Sequence, residues 1–162
     1  MYLAKSKAFA CVALIAFTPN SINSAISKTN VGIGLVHPLT ADQIADALIK
    51  QGLPIVDKIV FDARTDPNKL LGRPGGYSSK VSFRDERYID SEEDSMYQHT
   101  IETFPTAAAA QSRKRYVDKV TNGVSFLMQY QFISGRILLR MDKVLTPDEA
   151  TQYDTALQKI GR

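Results

Sequence analysis

Polar and cationic side chains gather in one glycine- and proline-rich stretch of the sequence, residues 64–80. Residues 64–78 (RTDPNKLLGRPGGYS) have neither helical nor strand periodicity, so the sequence predicts a long loop there. Loops of this length inside a compact domain are uncommon and often functional, and glycine lets a backbone approach a ligand closely. The candidate residues for contact with a ligand or partner are Arg64, Asp66, Asn68, Arg73, Tyr77 and Lys80.

The same loop also fits a purely structural role. Leu70, Leu71 and Tyr77 are suited to pinning a surface loop to the core of a domain. The D-P-N and P-G sequences within the loop are typical of turns, because proline presets one backbone angle and glycine and asparagine tolerate unusual ones. The sequence alone leaves both roles open.

The other residues that could do chemistry form no recognisable catalytic motif. The chain has no G-x-S-x-G elbow, no H-E-x-x-H helix and no dinucleotide-binding glycine pattern, and its only histidines are His37 and His99. Residues 72–80 (GRPGGYSSK) lack the glycine-to-lysine spacing of a phosphate-binding loop and lead into a predicted strand instead of a helix. We therefore expect no cofactor and no metal, and we favour a protein that is not an enzyme.

Two charge-rich stretches are expected to be solvated surface. The acidic residues within 90–94 lack the glycine and the ligand spacing of a calcium loop. The basic run at residues 113–115, together with Lys119, spreads around a predicted helix, which favours a solubilising face over a site for an anionic partner. The whole chain has 20 basic and 17 acidic residues among 162, and this slim excess gives no reason to expect a nucleic-acid partner.

The N-terminus has the pattern of a secretory signal. Lys5 and Lys7 precede a ten-residue apolar run, AFACVALIAF. As a helix this run rises only about 15 Å, half of a bilayer's hydrocarbon core, so we expect no stable transmembrane span. We predict a signal peptide at residues 1–25 and a flexible leader at 26–39, with attachment through an uncleaved N-terminal segment as the alternative.

Removal of this signal changes the composition of what remains. It takes away two lysines and no acidic residue, so the formal net charge falls from +3 to +1. It also removes Cys11, the single cysteine, which leaves no residue for a disulfide or a nucleophilic thiol. Cys11 lies inside the apolar run instead of ending it, so we expect no lipid anchor.

Residues 40–162 predict a single α+β domain. Thr40 with Gln43 and Thr146 with Glu149 have the spacing of capping boxes and mark the first and last helices. Between them the hydrophobic periodicity predicts strands near 56–63, 79–84, 96–104, 126–132 and 136–141, and a helix over 106–120. The expected architecture is two-layer, a mainly antiparallel five-stranded sheet with three helices in the order α-β-β-β-α-β-β-α.

The patterns also assign side chains to faces. The central helix is expected to turn one stripe of small and apolar residues inward: Ala108, Ala109, Ser112, Tyr116 and Val120. The sheet is expected to have an apolar face under the helices and a polar face toward solvent, represented by Gln129, Gln131, Arg136 and Arg140.

The D-P-N-x-L-L-G-R-P motif at residues 66–74 resembles that of a family of small uncharacterised exported bacterial proteins and lipoproteins. Further matching segments lie at residues 100–104, 110–116, 138–140 and 145–147. The resemblance implies export and a single extracytoplasmic domain, and it implies no particular activity. The chain departs from the family pattern at Cys11, which lacks a lipoprotein box, and at residues 97–99, where relatives usually have glycine.

These observations favour a secreted, non-enzymatic and monomeric binding module of the bacterial envelope or exterior. Its partner is expected to be an envelope component, a protein or a small ligand that contacts the 64–80 loop. Two alternatives remain open at this point. One is an envelope-associated hydrolase that combines the loop with His99, and the other is a structural domain whose loop only packs.

Overall fold

A computed structural model describes residues 38–89, 99–124 and 127–161 of the chain. These residues belong to one compact unit, His37–Arg162. The predicted signal peptide at 1–25, nearly all of the leader at 26–39 and the acidic residues within 90–94 lie outside the described residues.

The predicted α+β class and the order of its elements are confirmed. The described part of the chain contains three α-helices, a short 3-10 helix (Glu86–Tyr88) and a five-stranded antiparallel sheet. The elements are α1 (Ala41–Lys50), β1 (Ile55–Val60), β2 (Ser79–Asp85), β3 (His99–Thr103), α2 (Ala107–Thr121), β4 (Gln129–Ser134), β5 (Ile137–Asp142) and α3 (Pro147–Ile160).

Both predicted capping boxes are present. The Thr40 hydroxyl accepts a hydrogen bond from the Gln43 backbone N–H, and the Gln43 side chain accepts one from the Thr40 N–H. Thr146 and Glu149 repeat this exchange at the start of α3, where Pro147 occupies the first turn. These contacts satisfy N–H groups that a helix start otherwise leaves without a partner.

The sheet order is β1-β2-β3-β5-β4. β4 and β5 form the predicted hairpin, and Gly135 at its turn has a φ of 55°, a conformation that glycine adopts without steric cost. β3 and β4 run in the same direction with β5 between them, so α2 carries the chain across β5 to the edge of the sheet. This crossover places α2 beside β4 and β5.

One face of the sheet forms the main apolar core. The predicted stripes of α1 and α3 cover it, with Ile44 and Leu48 from α1 and Tyr153 and Leu157 from α3 fully buried. The strand residues beneath them alternate as expected: Val81, Phe83, Ile101, Ile137, Leu139 and Met141.

The opposite face was expected to point to solvent, and that expectation is wrong for much of its area. Leu138 on this face packs in a second apolar cluster with Tyr77 of the long loop and Ala110 of α2. The loop and α2 therefore cover part of the face that β2, β3, β4 and β5 turn away from α1 and α3. The Arg140 side chain on this face is 14% exposed, and it lines the groove described below together with residues of the loop and of α2.

The predicted inner stripe of α2 is also wrong. Ala110 and Val117 are the buried residues of this helix, whereas Tyr116 and Val120 are 57% and 47% exposed. The helix is rotated from the expected position because Arg113, which lies between Ala110 and Val117 on the inner face, binds a buried carboxylate. An apolar stripe that the sequence assigned to the core is thus left on the surface.

Strand β1 ends at Val60, three residues before its predicted end, and it is irregular. Its register against β2 shifts between Val56 and Ile59, which inserts one extra residue in β1. Asp57 within this bulge has a φ of 48° and accepts hydrogen bonds from Arg84. Ile59, after the bulge, is 46% exposed.

Candidate functional site

The long loop after β1 is held by a single buried carboxylate, that of Asp66. Its Oδ2 atom accepts hydrogen bonds from the backbone N–H groups of Leu70 and Leu71, at 2.8 and 3.2 Å. Its Oδ1 atom accepts from the Tyr77 hydroxyl at 2.5 Å and pairs with the Lys80 ammonium group at 3.2 Å. One side chain therefore connects the middle of the loop to its end and to the start of β2.

These contacts shift the pKa values of the three buried groups. Burial by itself raises the pKa of Asp66, but hydrogen bonds from Tyr77, the loop backbone and Lys80 outweigh burial and lower it to about 2. Burial, and next the hydrogen bond to Asp66, raise the pKa of Tyr77. Burial lowers the pKa of Lys80, against the opposing effect of Asp66. The cluster therefore contains the Asp66 carboxylate and a neutral Tyr77 phenol, with the Lys80 side chain paired to the carboxylate at 3.2 Å.

The six candidate residues of the loop divide into two groups. Asp66, Tyr77 and Lys80 are buried and bind one another. The other three have exposed side chains: Arg64, Asn68 and Arg73. Whether the exposed group contacts a ligand stays a prediction, whereas the buried group fixes the shape of the loop.

The close backbone approach expected at the loop glycines occurs within the loop itself. A Cβ atom at Gly76 would lie 1.9 Å from the backbone oxygen of Leu70, so only glycine fits there. Leu70 and Leu71 pack against the second apolar cluster, and the rings of Tyr77 and Phe104 meet edge to face at 6.1 Å. The loop is thus packed against the domain through Leu70, Leu71 and Tyr77, whereas residues 62–65, 67–69 and 72–75 are exposed.

A second buried carboxylate, Glu102 in the middle of β3, lies next to the loop. It faces the same side of the sheet as Lys80, its register partner on β2. Glu102 is completely buried and binds two arginines. Arg113 of α2 reaches its Oε2 atom at 3.2 Å, and Arg140 of β5 reaches its Oε1 atom at 3.2 Å.

Sequence reasoning missed all three members of this cluster as a site. Arg113 was assigned to a solvated face, and this is wrong because its side chain is only 13% exposed. Arg140 was assigned to a solvent-facing sheet surface, yet its side chain is 14% exposed. The available signal was Glu102, a charged residue at the centre of a short strand between Ile101 and Thr103, where a lone charge is not stable without a partner.

A groove of about 1270 Å³ opens over this cluster. The two arginines Arg113 and Arg140 contribute to its lining, and the exposed stripe of α2, with Tyr116 and Val120, forms part of its wall. Asn68, Leu70 and Gly75 of the long loop also line it. The groove thus joins the predicted loop site to arginines that the sequence did not identify.

Two buried polar atoms next to the groove have no hydrogen-bond partner within the described residues. They are Nε of Arg140 and Oε1 of Gln131, which are register partners on β5 and β4. Arg140 uses its other nitrogens to bind Glu102 and Gln129. Gln131 uses its amide nitrogen to bind Asp118 of α2 at 2.7 Å. One hydrogen-bond donor, the Arg140 Nε–H, and one acceptor, the Gln131 Oε1, are therefore unsatisfied on neighbouring strands.

His99 lies on the other side of the sheet, in the main core. Its Nδ1 atom accepts a hydrogen bond from the Asp142 backbone N–H at 3.0 Å, and its ring lies 5.3 Å from that of Phe83. Burial lowers its pKa to about 4, so the imidazole is neutral at physiological pH. Because successive residues of a strand point to opposite faces, His99 does not meet the loop or the groove.

Two kinds of feature are absent from residues 38–89, 99–124 and 127–161. No group of three or more histidine, cysteine or acidic side chains there could hold a metal ion. None of the helices there is long and apolar enough to cross a membrane.

The site therefore consists of an anchored loop, a buried cluster of one glutamate and two arginines, and an open groove with an apolar wall. Its arrangement suits binding, because the reactive groups within it are engaged in ion pairs. Comparison of the chain with protein-family models, with curated proteins and with solved structures finds no match in any of the three.

Proposed function

We propose that this chain is an exported bacterial binding module, without catalytic activity, whose ligand or partner contacts the 64–80 loop and the adjoining groove. The observation that carries the proposal is the exposed apolar stripe of α2 along the groove. Tyr116 and Val120 remain on the surface while the same helix buries Arg113. Contiguous apolar surface beside a polar rim is typical of an interaction site.

The loop supports this proposal through its rigidity. The Asp66 carboxylate ties Leu70, Tyr77 and Lys80 together, so the loop is held in one shape before any ligand arrives. A site that is already ordered loses less conformational entropy on binding. Asn68 belongs to both the predicted site and the groove lining, which makes the loop one end of the groove.

Export is the second part of the proposal. It rests on the lysine-flanked apolar run at the N-terminus and on the resemblance of the 66–74 motif to exported bacterial proteins. The mass of the protein recovered from the medium or the envelope of an expressing bacterium tests this part. We expect a chain shortened by 24 or 25 residues at its N-terminus, and a full-length cytoplasmic product would contradict export.

NMR titration of the ¹⁵N-labelled full chain tests the binding site. A panel of small organic acids, sugars and peptides is added, and we expect the amide shifts that change to cluster at residues 64–80 and along α2. A matched pair of variants provides the control. Val120→Ser removes a valine, 47% exposed, from the groove wall, and Val60→Ser removes a valine, 59% exposed, on β1 outside the lining of the groove.

We expect binding to weaken in Val120→Ser and to remain unchanged in Val60→Ser. Shift changes confined to other surfaces, or equal effects of the two substitutions, would contradict the proposed site.

The structural alternative has one observation in its favour. Three of the six predicted loop residues, Asp66, Tyr77 and Lys80, are used to hold the loop in place. If the loop and groove have no ligand, the titration leaves residues 64–80 and α2 unchanged with every compound. The hydrolase alternative has no comparable support, because His99 lies in the main core and its pKa is lowered to about 4 by burial.

A further inference from the structure

The groove has an excess of positive charge at its base. Arg113 and Arg140 share one carboxylate, Glu102, and both arginines line the groove. The neighbouring pair Asp66 and Lys80 is neutral as a unit. Asp142, two residues from Arg140 on the same face of β5, and Lys143 also line the groove, and their opposite formal charges cancel in the sum. Counted over the described residues, the formal charges at this part of the groove therefore sum to +1.

The side chains of both arginines are partly accessible to a ligand in the groove. Their side chains are 13% and 14% exposed, so most of each is fixed by packing and by Glu102. An arginine has five N–H donors. Arg113 directs two of its nitrogens to Glu102, and Arg140 directs one to Glu102 and one to Gln129. Donors remain on both guanidinium groups for an acid group that enters the groove.

The wall of the groove is apolar. Leu70, Val117 and Leu127 line it together with Tyr116 and Val120. Leu127, Tyr116 and Val120 are exposed, so a ligand that covers them gains the free energy of burying apolar surface. The volume of about 1270 Å³ is ample for a small organic molecule, for which sites of roughly 300–1000 Å³ are usual.

We propose that this groove binds a small amphiphilic organic anion, with its acid group at Arg113 and Arg140 and its apolar body against Tyr116 and Val120. This inference rests on the proposed function and adds to it the chemical class of the ligand. The same groove would bind an uncharged analogue less well, because the arginines would lose water without gaining an acid group.

Two fluorescent probes that share one ring system test the inference on the full-length protein. 8-Anilinonaphthalene-1-sulfonate has an acid group, and N-phenyl-1-naphthylamine lacks it. In Arg140→Gln we expect the affinity for the sulfonate to fall about tenfold or more, as for loss of a charged hydrogen bond, while the affinity for the neutral probe changes less than about threefold. Arg140→Lys, which keeps the charge, should weaken the sulfonate less.

Two further variants locate the site. Val120→Asp places a carboxylate on the groove wall and should weaken both probes, whereas Val60→Asp places one on β1 and should weaken neither. Decanoate should displace the sulfonate probe from the wild-type protein, and 1-decanol should displace it poorly. The comparison of decanoate with 1-decanol tests whether a carboxylate binds at the arginines as a sulfonate does.

Salt provides a test that needs no substitution. Raising sodium chloride from about 0.02 to 0.5 M should weaken binding of the sulfonate to wild-type protein several-fold and leave the neutral probe nearly unchanged. The salt dependence of the two probes tests the anion inference even if Arg140→Gln does not fold. Near-ultraviolet circular dichroism shows whether that variant folds.

The outcomes separate the two proposals. If salt weakens both probes alike and 1-decanol displaces the sulfonate probe as well as decanoate does, the anion inference is overturned. If Val120→Asp then still weakens both probes, the groove remains a binding site and the proposed function stands. If Val120→Asp and Val60→Asp have the same effect on both probes, binding at the groove is excluded and both proposals fail.

Discussion

The two faces of the sheet are packed in different ways, although the same strands supply both. Under α1 and α3 the strands present Val81, Ile101 and Leu139, which are fully buried among other apolar side chains. On the opposite face the neighbouring positions are Lys80, Glu102 and Leu138. One face is held by apolar burial, and the other combines a small apolar cluster with buried ion pairs.

This difference determines how each face responds to change. Apolar packing tolerates substitutions that conserve volume. A buried ion pair fails when one partner is lost, because the remaining charge stays buried without compensation. The charged face is therefore expected to fix the positions of α2 and the long loop sharply, while the apolar face supplies more of the general stability. Four predictions test this contrast, from the largest expected effect to the smallest.

The largest effect is expected from Glu102→Ala. The substitution leaves Arg113 and Arg140 together under the groove without a carboxylate, and breaking a buried pair in this way typically costs about 3–5 kcal/mol. Urea unfolding measures the loss. The triple variant Glu102→Leu, Arg113→Met, Arg140→Met should recover most of it, because it removes all three charges. A triple variant as unstable as Glu102→Ala would contradict the electrostatic origin of the loss.

The next effect concerns His99 on the apolar face. Its pKa is about 4 in the folded protein and near its ordinary value of 6.5 in the unfolded chain. The neutral form is favoured by folding, so its contribution is complete above about pH 6.5 and is lost as the pH falls toward 4, by about 2–3 kcal/mol. Asp85 and Arg87, the charged groups nearby, act on His99 in opposite directions.

The free energy of unfolding should therefore fall between about pH 6.5 and 4 in the wild type. His99→Asn keeps an acceptor for the Asp142 N–H, and in this variant the free energy of unfolding should change less between pH 6.5 and 4. An unchanged slope in His99→Asn would show that another group titrates there.

Asp66 gives the charged face its own pH dependence, in a lower range. Its folded pKa of about 2 lies below the ordinary value of 3.8, so its contribution is present above about pH 4 and is lost as the pH falls toward 2. The expected loss is about 1–2 kcal/mol. The free energy of unfolding of Asp66→Asn should not show this fall between about pH 4 and 2. At neutral pH, residues 64–80 of the variant should exchange their amide hydrogens faster than those of the wild type.

The smallest effect is expected from Leu71→Ala in the loop. Leu71 is only partly buried against the second apolar cluster, so its truncation should cost about 1 kcal/mol. Arg64→Ala is the matched control, because the Arg64 side chain is 92% exposed and its pair with Asp62 lies at the surface. Arg64→Ala should leave the urea midpoint unchanged. Equal effects of the two substitutions would contradict the anchoring of the loop.

Elements defined by local signals were predictable from the sequence. α1 and α3 follow from their capping residues and apolar stripes, and the β4–β5 hairpin follows from Ser134-Gly135 between two alternating segments. Each of these signals acts between residues close together in the chain. Alternation in the sequence predicts β1 to residue 63, whereas the strand ends at Val60 and only one further hydrogen bond, from the Phe61 N–H to the Lys80 oxygen, joins the chain to β2.

The orientation of α2 and the groove were not predictable in this way. The inner face of α2 is decided by Arg113 and its partner Glu102, which belong to different elements and meet only after α2 crosses the sheet. Hydrophobic periodicity favours Tyr116 and Val120 inside and gives no weight to an ion pair. The sequence predicts that residues 64–78 form a loop. It does not predict that Asp66 anchors this loop, because its partner Lys80 lies fourteen residues further along the chain.

The bulge in β1 has a consequence for how this protein behaves in a crowded solution. β1 is an outer strand, and a regular outer strand presents unpaired backbone groups on which the strand of another molecule can add. The extra residue between Val56 and Ile59 interrupts that regular row, and Lys58 is held to two acidic residues of α1. This border of the sheet is therefore a poor template for intermolecular β-sheet, and it protects the folded domain against aggregation from that side.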